Sequence, residues 1–160
     1  METLPRPSVE KEPLPNHDIP SPPPPSVPQP PPTPYIPARP ELDSVVEFID
    51  KWRPAKPWRV EEKYQIELST KLSSEFGDEC VKTELNVLDG RIDIDVMGIG
   101  IELKVPSKTQ LQRLVGQANM YRKHYGPNLV VVIFAEKARM QDIIAFRHDL
   151  AALGIKVFVK

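Results

Sequence analysis

The sequence predicts an α/β domain in which helices flank a mixed central sheet on both sides. Segments of helical periodicity alternate with short strand-like segments. Three strand-like segments follow one another first, as in a meander, and strand–helix–strand units come after them. Residues 129–134 are apolar throughout, which is typical of a strand covered on both faces.

Composition narrows the function classes. The chain has 160 residues and a net charge of −1, so affinity for nucleic acid requires a local basic patch. Cys80 is the single cysteine, which excludes an internal disulfide and a cysteine-rich metal site. No apolar run approaches the ~20 residues of a membrane span, and the N-terminus lacks the apolar core of a signal peptide. We therefore expect a cytoplasmic protein that is not associated with a membrane.

Residues 1–40 are predicted to be a disordered proline-rich tail, and residues 41–160 the folded domain. Sixteen of the twenty prolines lie in this tail, and those from 22 to 40 include one at every third position. Such spacing gives a polyproline II helix with one ridge of proline. The segment is a spacer, or its stretch 34–39 is the ligand of a proline-binding protein partner.

The folded domain begins with two helices. Val45, Phe48, Ile49 and Trp52 have helical spacing after a cap at Asp43 or Ser44. The basic and aromatic stretch 51–59 follows; we interpret Trp52 as a core residue and leave Trp58 open between core packing and nucleic-acid stacking. The second helix runs from about Arg59 to Phe76 and ends at Gly77. Its buried stripe is formed by Tyr64, Leu68, Leu72 and Phe76.

A strand at 81–88 is followed by the most informative segment, a hairpin of strands 90–96 and 101–105. Both strands alternate, with Asp93 and Asp95 opposite the apolar face of Ile92, Ile94 and Val96, and with Glu102 and Lys104 opposite that of Ile101, Leu103 and Val105. A two-residue turn would set Asp93 or Asp95 opposite Glu102, with Lys104 beside them. Carboxylates placed in this way suit a hard divalent cation such as magnesium.

The remaining elements alternate. Ser107 is positioned to cap a third helix, which extends from Lys108 to about Tyr125 and ends at Gly126-Pro127. The apolar strand 129–134, a helix over about 139–153 and a last strand at 155–159 complete the chain. In this order the hairpin becomes central in the sheet, and its polar patch lies beside the third helix.

These residues resemble the PD-(D/E)XK nuclease superfamily, which has the restriction-endonuclease-like fold. The resemblance covers roughly residues 58–160 and rests on Gly90-Arg91-Ile92-Asp93, eight further residues, and Glu102-Leu103-Lys104. The next helix carries Gln117 and Tyr121, which resemble the glutamine–x3–tyrosine motif of RecB-type members. No proline precedes Asp93, and Asp95 is an alternative to it.

The resemblance implies a metal-dependent nuclease, a hydrolase of phosphodiester bonds with DNA as the expected substrate. Asp93 (or Asp95), Glu102 and the backbone carbonyl of Leu103 would hold Mg²⁺ or Mn²⁺, which activates a water for in-line attack. Lys104 would position that water or offset developing charge. Gln117 and Tyr121 would contact the nucleophile or the phosphate backbone. Glu61, with Glu62 as its alternative, matches the glutamate by which the first helix of many members completes the metal shell.

Two other functions fit the same residues. One is a catalytically silent nuclease fold that serves as a nucleic-acid-binding or assembly module. The other is a structure-selective junction resolvase, which requires a homodimer. A phosphate-binding edge is expected from Lys108, Arg113, Arg122 and Lys123, although each of these residues also suits a solvated helix face.

Overall fold

The computed structural model describes residues 39–88, 90–106, 108–135 and 139–160, without the side chains of 108, 109 and 112. The predicted tail falls outside the described residues up to position 38, as does Ser107, the predicted cap. Within the described part, the guanidinium of Arg39 lies beside Gly98.

Every helix and strand expected within residues 41–160 is present. The helices are α1 (Leu42–Lys51), α2 (Glu61–Phe76), α3 (Lys108–Tyr125) and α4 (Met140–Ala152). The strands are β1 (Val81–Val87), β2 (Gly90–Val96), β3 (Gly100–Lys104), β4 (Leu129–Ile133) and β5 (Lys156–Val159). The predicted caps of the first helix are wrong. Asp43 and Ser44 lie inside α1, because the helix begins at Leu42, which packs against the core.

The five strands form one mixed sheet in the order β1-β2-β3-β4-β5. The β1–β2 and β2–β3 pairs are antiparallel, whereas β3–β4 and β4–β5 are parallel. The expected α/β class with a mixed sheet is confirmed. Strand β3 is central, and its carboxyl end lies at the same edge as those of β4 and β5.

Helices cover both faces of the sheet and bury two apolar clusters. On one face α1 and α2 pack on alternate residues of β3 and β4, including Ile101, Leu103 and Val130. On the other face α3 and α4 pack on Leu129, Val131 and Ile133. All five residues of β4 are fully buried, which confirms the prediction of a strand covered on both sides.

The loop between α1 and α2 is fixed by aromatic and carboxylate contacts. Trp52 is 8 % exposed and packs edge-on against Phe134, as predicted for a core residue. Trp58 is half-buried, and its indole Nε1 donates to Glu67 Oε2 at 2.8 Å. The Glu67 carboxylate also accepts the N–H of Ala55 at 2.7 Å. Trp58 therefore ties this loop to α2.

Two glycines let α3 approach the hairpin. A Cβ on Gly90 would lie 2.5 Å from Met120 Cε and 2.8 Å from Tyr121 Cε1. A Cβ on Gly100 would lie 2.6 Å from the ring of Tyr125. Because these distances are shorter than van der Waals contact, helix α3 can rest on β2 and β3 only where side chains are missing. None of the described helices is long and apolar enough to cross a membrane.

Candidate active site

The β2–β3 hairpin closes with the predicted two-residue turn. Val96 and Ile99 exchange backbone hydrogen bonds of 2.9 and 3.1 Å around Met97 and Gly98. Both turn residues have positive φ, 50° and 88° respectively, as the tight turns that match strand twist require. The ladder continues through the pairs Asp95–Gly100 and Ile94–Ile101. The same register, extended by one residue, brings Asp93 opposite Glu102.

The side chains of β2 change from one face of the sheet to the other at Asp93. Ile94 packs in the cluster beneath α2, whereas Ile92 packs in the cluster beneath α3. The prediction of a single apolar face for Ile92, Ile94 and Val96 is therefore wrong for Ile92. Among the described residues the β2–β3 ladder stops at Ile94–Ile101. Strand β2 stays paired with β1 as far as Gly90, except that Asp93 has no partner opposite Glu84, whose φ is 55°. At the level where the β2–β3 ladder has ended, the Asp93 side chain connects the two strands, because its Oδ2 accepts the backbone N–H of Leu103 at 2.7 Å.

The structure separates the two aspartates that the sequence left as alternatives. Asp95 is 6 % exposed, and its Oδ1 accepts the N–H of Gly98 at 3.1 Å, so it supports the hairpin turn. Asp95 also lines a cleft near Arg39 and Cys80. Asp93 instead stands beside β3 at the level of Glu102. Its carboxylate is the one that shares the electrostatic environment of Glu102 and Lys104.

Lys104 lies at the centre of a charge cluster at the carboxyl end of β3. The other members of this cluster are the carboxylates of Glu61, Asp93 and Glu102. Its Nζ is 2.8 Å from Glu61 Oε1 and 3.0 Å from Glu102 Oε1. The Lys104 side chain is 20 % exposed, while that of Glu102 is only 2 % exposed. The first turn of α2 thus supplies a carboxylate to the end of β3. Glu61 makes this contact, and its alternative Glu62 is exposed.

Burial and mutual repulsion shift the pKa values of these groups. Burial and the Asp93 carboxylate raise the pKa of Glu102 to about 8, although Lys104 opposes the shift. Burial raises the pKa of Asp93 as well, against the attraction of Lys104 and the Leu103 N–H. Burial alone would lower the pKa of Lys104, but Glu102, Asp93 and Glu61 raise it above its usual range. At neutral pH the cluster therefore favours a proton on a carboxylate and a charged lysine.

The net charge of the cluster is compatible with a hard divalent cation. Glu102 Oε2 is buried, and no described residue donates a hydrogen bond to it. Fully ionised, three carboxylates against one ammonium leave two negative charges uncompensated, which is the charge of one Mg²⁺ or Mn²⁺. Within the described ranges, however, no group of three or more His, Cys, Asp or Glu residues is arranged to hold a metal. The candidate ligands are therefore a pair of carboxylates, Asp93 and Glu102. The backbone of Leu103 lies between Glu102 and Lys104.

The two residues of the glutamine–x3–tyrosine pattern occupy different environments. Tyr121 is 3 % exposed, and its hydroxyl donates to the carbonyl of Arg91 at 2.8 Å. Tyr121 therefore supports β2 two residues before Asp93. Gln117 is exposed and lines a cleft of about 280 Å³. The other residues that line this cleft are Glu61, Lys104, Val105, Gln110 and Arg113.

The basic residues expected to form one phosphate-binding edge divide into two groups. Arg113 lines the cleft with Lys104, whereas Arg122 and Lys123 line a separate cleft near Gly126 and Gly154. Arg113 and Arg122 are nine residues apart, which is roughly 13 Å along a helix. The side chain of Lys108 lies outside the described residues. Of the described members, only Arg113 is next to the charge cluster.

Gln65 is a site residue whose role the sequence did not reveal. Its Nε2 donates to the backbone carbonyl of Asp93 at 2.9 Å, and the side chain is buried. Gln65 and Glu61 are one helical turn apart, and this spacing was visible in the sequence. The signal that was available is that a polar residue beside a buried stripe requires a hydrogen-bond partner.

The chain matches no protein-family model, no curated protein and no solved structure. A function for this chain is therefore inferred from its own residues and from the chemistry that their arrangement allows.

Proposed function

We propose that this protein is a metal-dependent nuclease that hydrolyses phosphodiester bonds, with DNA as its substrate. The observation that carries the proposal is the pairing of Glu102 and Lys104. Glu102 is almost completely buried and keeps one oxygen without a donor among the described residues, while Lys104 holds the other. Such an arrangement is costly unless a ligand uses it, because a buried carboxylate with an unpaired oxygen destabilises the fold.

A divalent cation would remove this cost. Asp93 and Glu102 would hold Mg²⁺ or Mn²⁺, together with the backbone carbonyl of Leu103. Bound there, the cation would polarise the scissile phosphate and lower the pKa of a water molecule. The buried position supports strong binding, since charge interactions are less screened in a poorly solvated site.

Lys104 supplies the positive charge that phosphoryl chemistry requires. Its ammonium is held by two carboxylates and lines the open cleft, so it is ordered before a substrate arrives. It would donate a hydrogen bond to the attacking water or to a phosphate oxygen, where negative charge develops in the transition state. Its raised pKa keeps the ammonium charged throughout the physiological range.

The lining of the cleft suits an anionic backbone. Arg113 lies on one wall and presents a planar guanidinium, which matches phosphate geometry. Gln110 and Gln117 add amide groups that can donate to phosphate or sugar oxygens. Net charge gives no long-range attraction to nucleic acid, so these local groups would fix the position of the strand.

A cleavage panel tests the proposal. Purified full-length protein with Mg²⁺ or Mn²⁺ is mixed with single-stranded, duplex, flapped and branched DNA, and with RNA of the same sequences. We expect cleavage of DNA, and a loss of about 10²-fold or more in kcat for Glu102→Gln and for Lys104→Ala. The unfolding midpoint of Glu102→Gln is measured alongside, because the substitution also removes a partner of Lys104; inactivity with an unchanged midpoint is then a loss of chemistry.

Matched controls come from neighbouring exposed residues. Glu62→Gln changes a carboxylate next to Glu61, and Lys71→Ala removes a lysine on the exposed side of α2. Both variants should cleave at the normal rate. If neither ion supports cleavage of any substrate, the proposal is wrong. Binding of the same DNA panel without cleavage would then favour a catalytically silent nucleic-acid-binding module.

A further inference from the structure

Glu61 differs from the other two carboxylates of the cluster in that both of its oxygens have donors. Oε1 accepts from Lys104 Nζ at 2.8 Å, and Oε2 accepts the backbone N–H of Val105 at 3.3 Å. Both donors belong to the carboxyl end of β3 and the residue that follows it. Glu61 therefore connects the first turn of α2 to the end of the central strand.

Glu102 shows the opposite state. One of its oxygens faces Lys104, and the other is buried without a donor from any described residue. A carboxylate oxygen that is buried without a donor gains most from a cation, whereas an oxygen that already has a donor gains less. Glu102 has such an oxygen and Glu61 has none.

The same helix also contacts the opposite strand. One turn after Glu61, Gln65 donates to the carbonyl of Asp93. The β2–β3 ladder stops before this level among the described residues, so α2 holds both strands where direct pairing has ended. Its first two turns thereby set the separation between Asp93 on β2 and Lys104 on β3.

We propose that Glu61 is a positioning residue that orients Lys104 and the end of β3, and that it is not a ligand of the cation. This inference rests on the proposed function, in which Lys104 touches the reacting atoms. A lysine on a four-carbon stem has many rotamers, and contact with Glu102 alone restricts only one side of its ammonium. With Glu61 on a second side, Nζ is held over the cleft, next to the position that a phosphate would occupy.

The first experiment separates a ligand from a positioning residue by cation affinity. Mn²⁺ binding to full-length protein is measured by titration calorimetry, without any substrate. We expect Glu102→Gln to weaken binding by about tenfold or more, whereas Glu61→Gln and the control Glu62→Gln stay within about twofold of the unchanged protein. If Glu61→Gln weakens Mn²⁺ binding as much as Glu102→Gln does, Glu61 is a ligand and the proposal is overturned.

The second experiment measures, in metal-free protein, how strongly Glu61 restrains the Lys104 ammonium and keeps it protonated. Acetylation of individual lysines by acetic anhydride is followed by mass spectrometry, with exposed Lys71 as an internal reference. Release of the ammonium in Glu61→Gln should make Lys104 react about three- to tenfold faster relative to Lys71. Glu62→Gln should leave the ratio unchanged. An unchanged ratio in Glu61→Gln would overturn the proposal, because Lys104 would then be ordered without Glu61.

Kinetics supply the third measurement. Glu61→Gln should lower kcat by about 10- to 100-fold and leave KM within about twofold, since the lysine acts in the transition state. Equal kcat values for Glu61→Gln and Glu62→Gln would contradict a positioning role. If the protein cleaves no substrate at all, the nuclease proposal fails, but the acetylation ratio still decides whether Glu61 orders Lys104.

Discussion

The carboxylate of Asp93 accepts the backbone N–H of Leu103 at 2.7 Å, which joins β2 to β3 where their ladder has ended. In this position a side chain replaces the backbone acceptor that a regular sheet would provide. The arrangement opens the hairpin beside Glu102 without leaving the N–H of Leu103 unpaired. Asp93 therefore has a structural role in addition to the chemical role proposed for it.

This double role predicts different stabilities for two substitutions of Asp93. Asp93→Asn and Asp93→Ala remove the same negative charge, but only asparagine keeps an oxygen that can accept from Leu103. We expect Asp93→Ala to be less stable than Asp93→Asn by about 1–3 kcal/mol, the cost of a buried donor without an acceptor. Urea unfolding of metal-free protein at one pH measures the difference. Equal midpoints and slopes for the two variants would show that the hydrogen bond contributes nothing.

The pKa of Glu102 predicts how the stability of the metal-free protein depends on pH. The pKa rises from an ordinary value of 4.5 to about 8 on folding, so the folded chain binds this proton more strongly than the unfolded chain. The associated stability is fully present below pH 4.5 and is lost as the pH rises through about 8. Asp93, whose pKa is also raised, acts in the same direction. We therefore expect the free energy of unfolding to fall between pH 5 and pH 8.

The variant Glu102→Gln isolates this contribution. Its glutamine side chain does not titrate, so the variant should lose less stability than the unchanged protein as the pH rises from 5 to 8. Relative to the unchanged protein, the variant therefore becomes more stable across this interval. The stability linked to the raised pKa of Lys104 is fully present below its ordinary value of 10.5, so it does not vary within this interval. Parallel stability curves for the two proteins across the interval would contradict the raised pKa of Glu102.

The fold was predictable from the sequence largely because each element carries a local signal. The apolar run of β4, Gly77 after α2 and the Met97-Gly98 turn each indicate an element by composition or backbone preference alone. These features required no knowledge of tertiary contacts. A two-residue turn restricted the residue opposite Glu102 to Asp93 or Asp95, and the choice between them came only with the structure.

Other features depend on contacts between distant segments and could not be predicted. Gln65 hydrogen-bonds a backbone carbonyl 28 residues away, and backbone acceptors have no sequence signature. The change of face at Ile92 occurs next to Asp93, which is unpaired in the ladders of β2 with both of its neighbours, and strand periodicity does not reveal such a break. Tyr121 shares a helical stripe with buried residues, yet only the position of Arg91 determines where its hydroxyl points.

Cation binding should release a proton at neutral pH. Between pH 4.5 and about 8 the metal-free site keeps a proton on Glu102, and a cation can bind only the ionised carboxylate. We expect Mn²⁺ affinity to fall by up to about tenfold for each pH unit below 8. Calorimetry in two buffers with different ionisation enthalpies counts the protons released. Zero proton release at pH 6.5, with affinity independent of pH, would contradict the assignment of Glu102 as a ligand.

Close packing of α3 on the hairpin predicts opposite effects of alanine at two glycines. At Gly100 a new Cβ would lie 2.6–2.9 Å from three atoms of the buried Tyr125 ring, so the ring must move away from β3. We expect Gly100→Ala to lower the free energy of unfolding by about 1–3 kcal/mol.

Gly116, within α3, is exposed, and a Cβ added there would have nothing within 4 Å. At this position alanine should raise stability by about 0.5–1 kcal/mol, because glycine is a poor helix former. Urea unfolding of both variants checks the pair, and destabilisation by Gly116→Ala or none by Gly100→Ala would contradict this packing of α3.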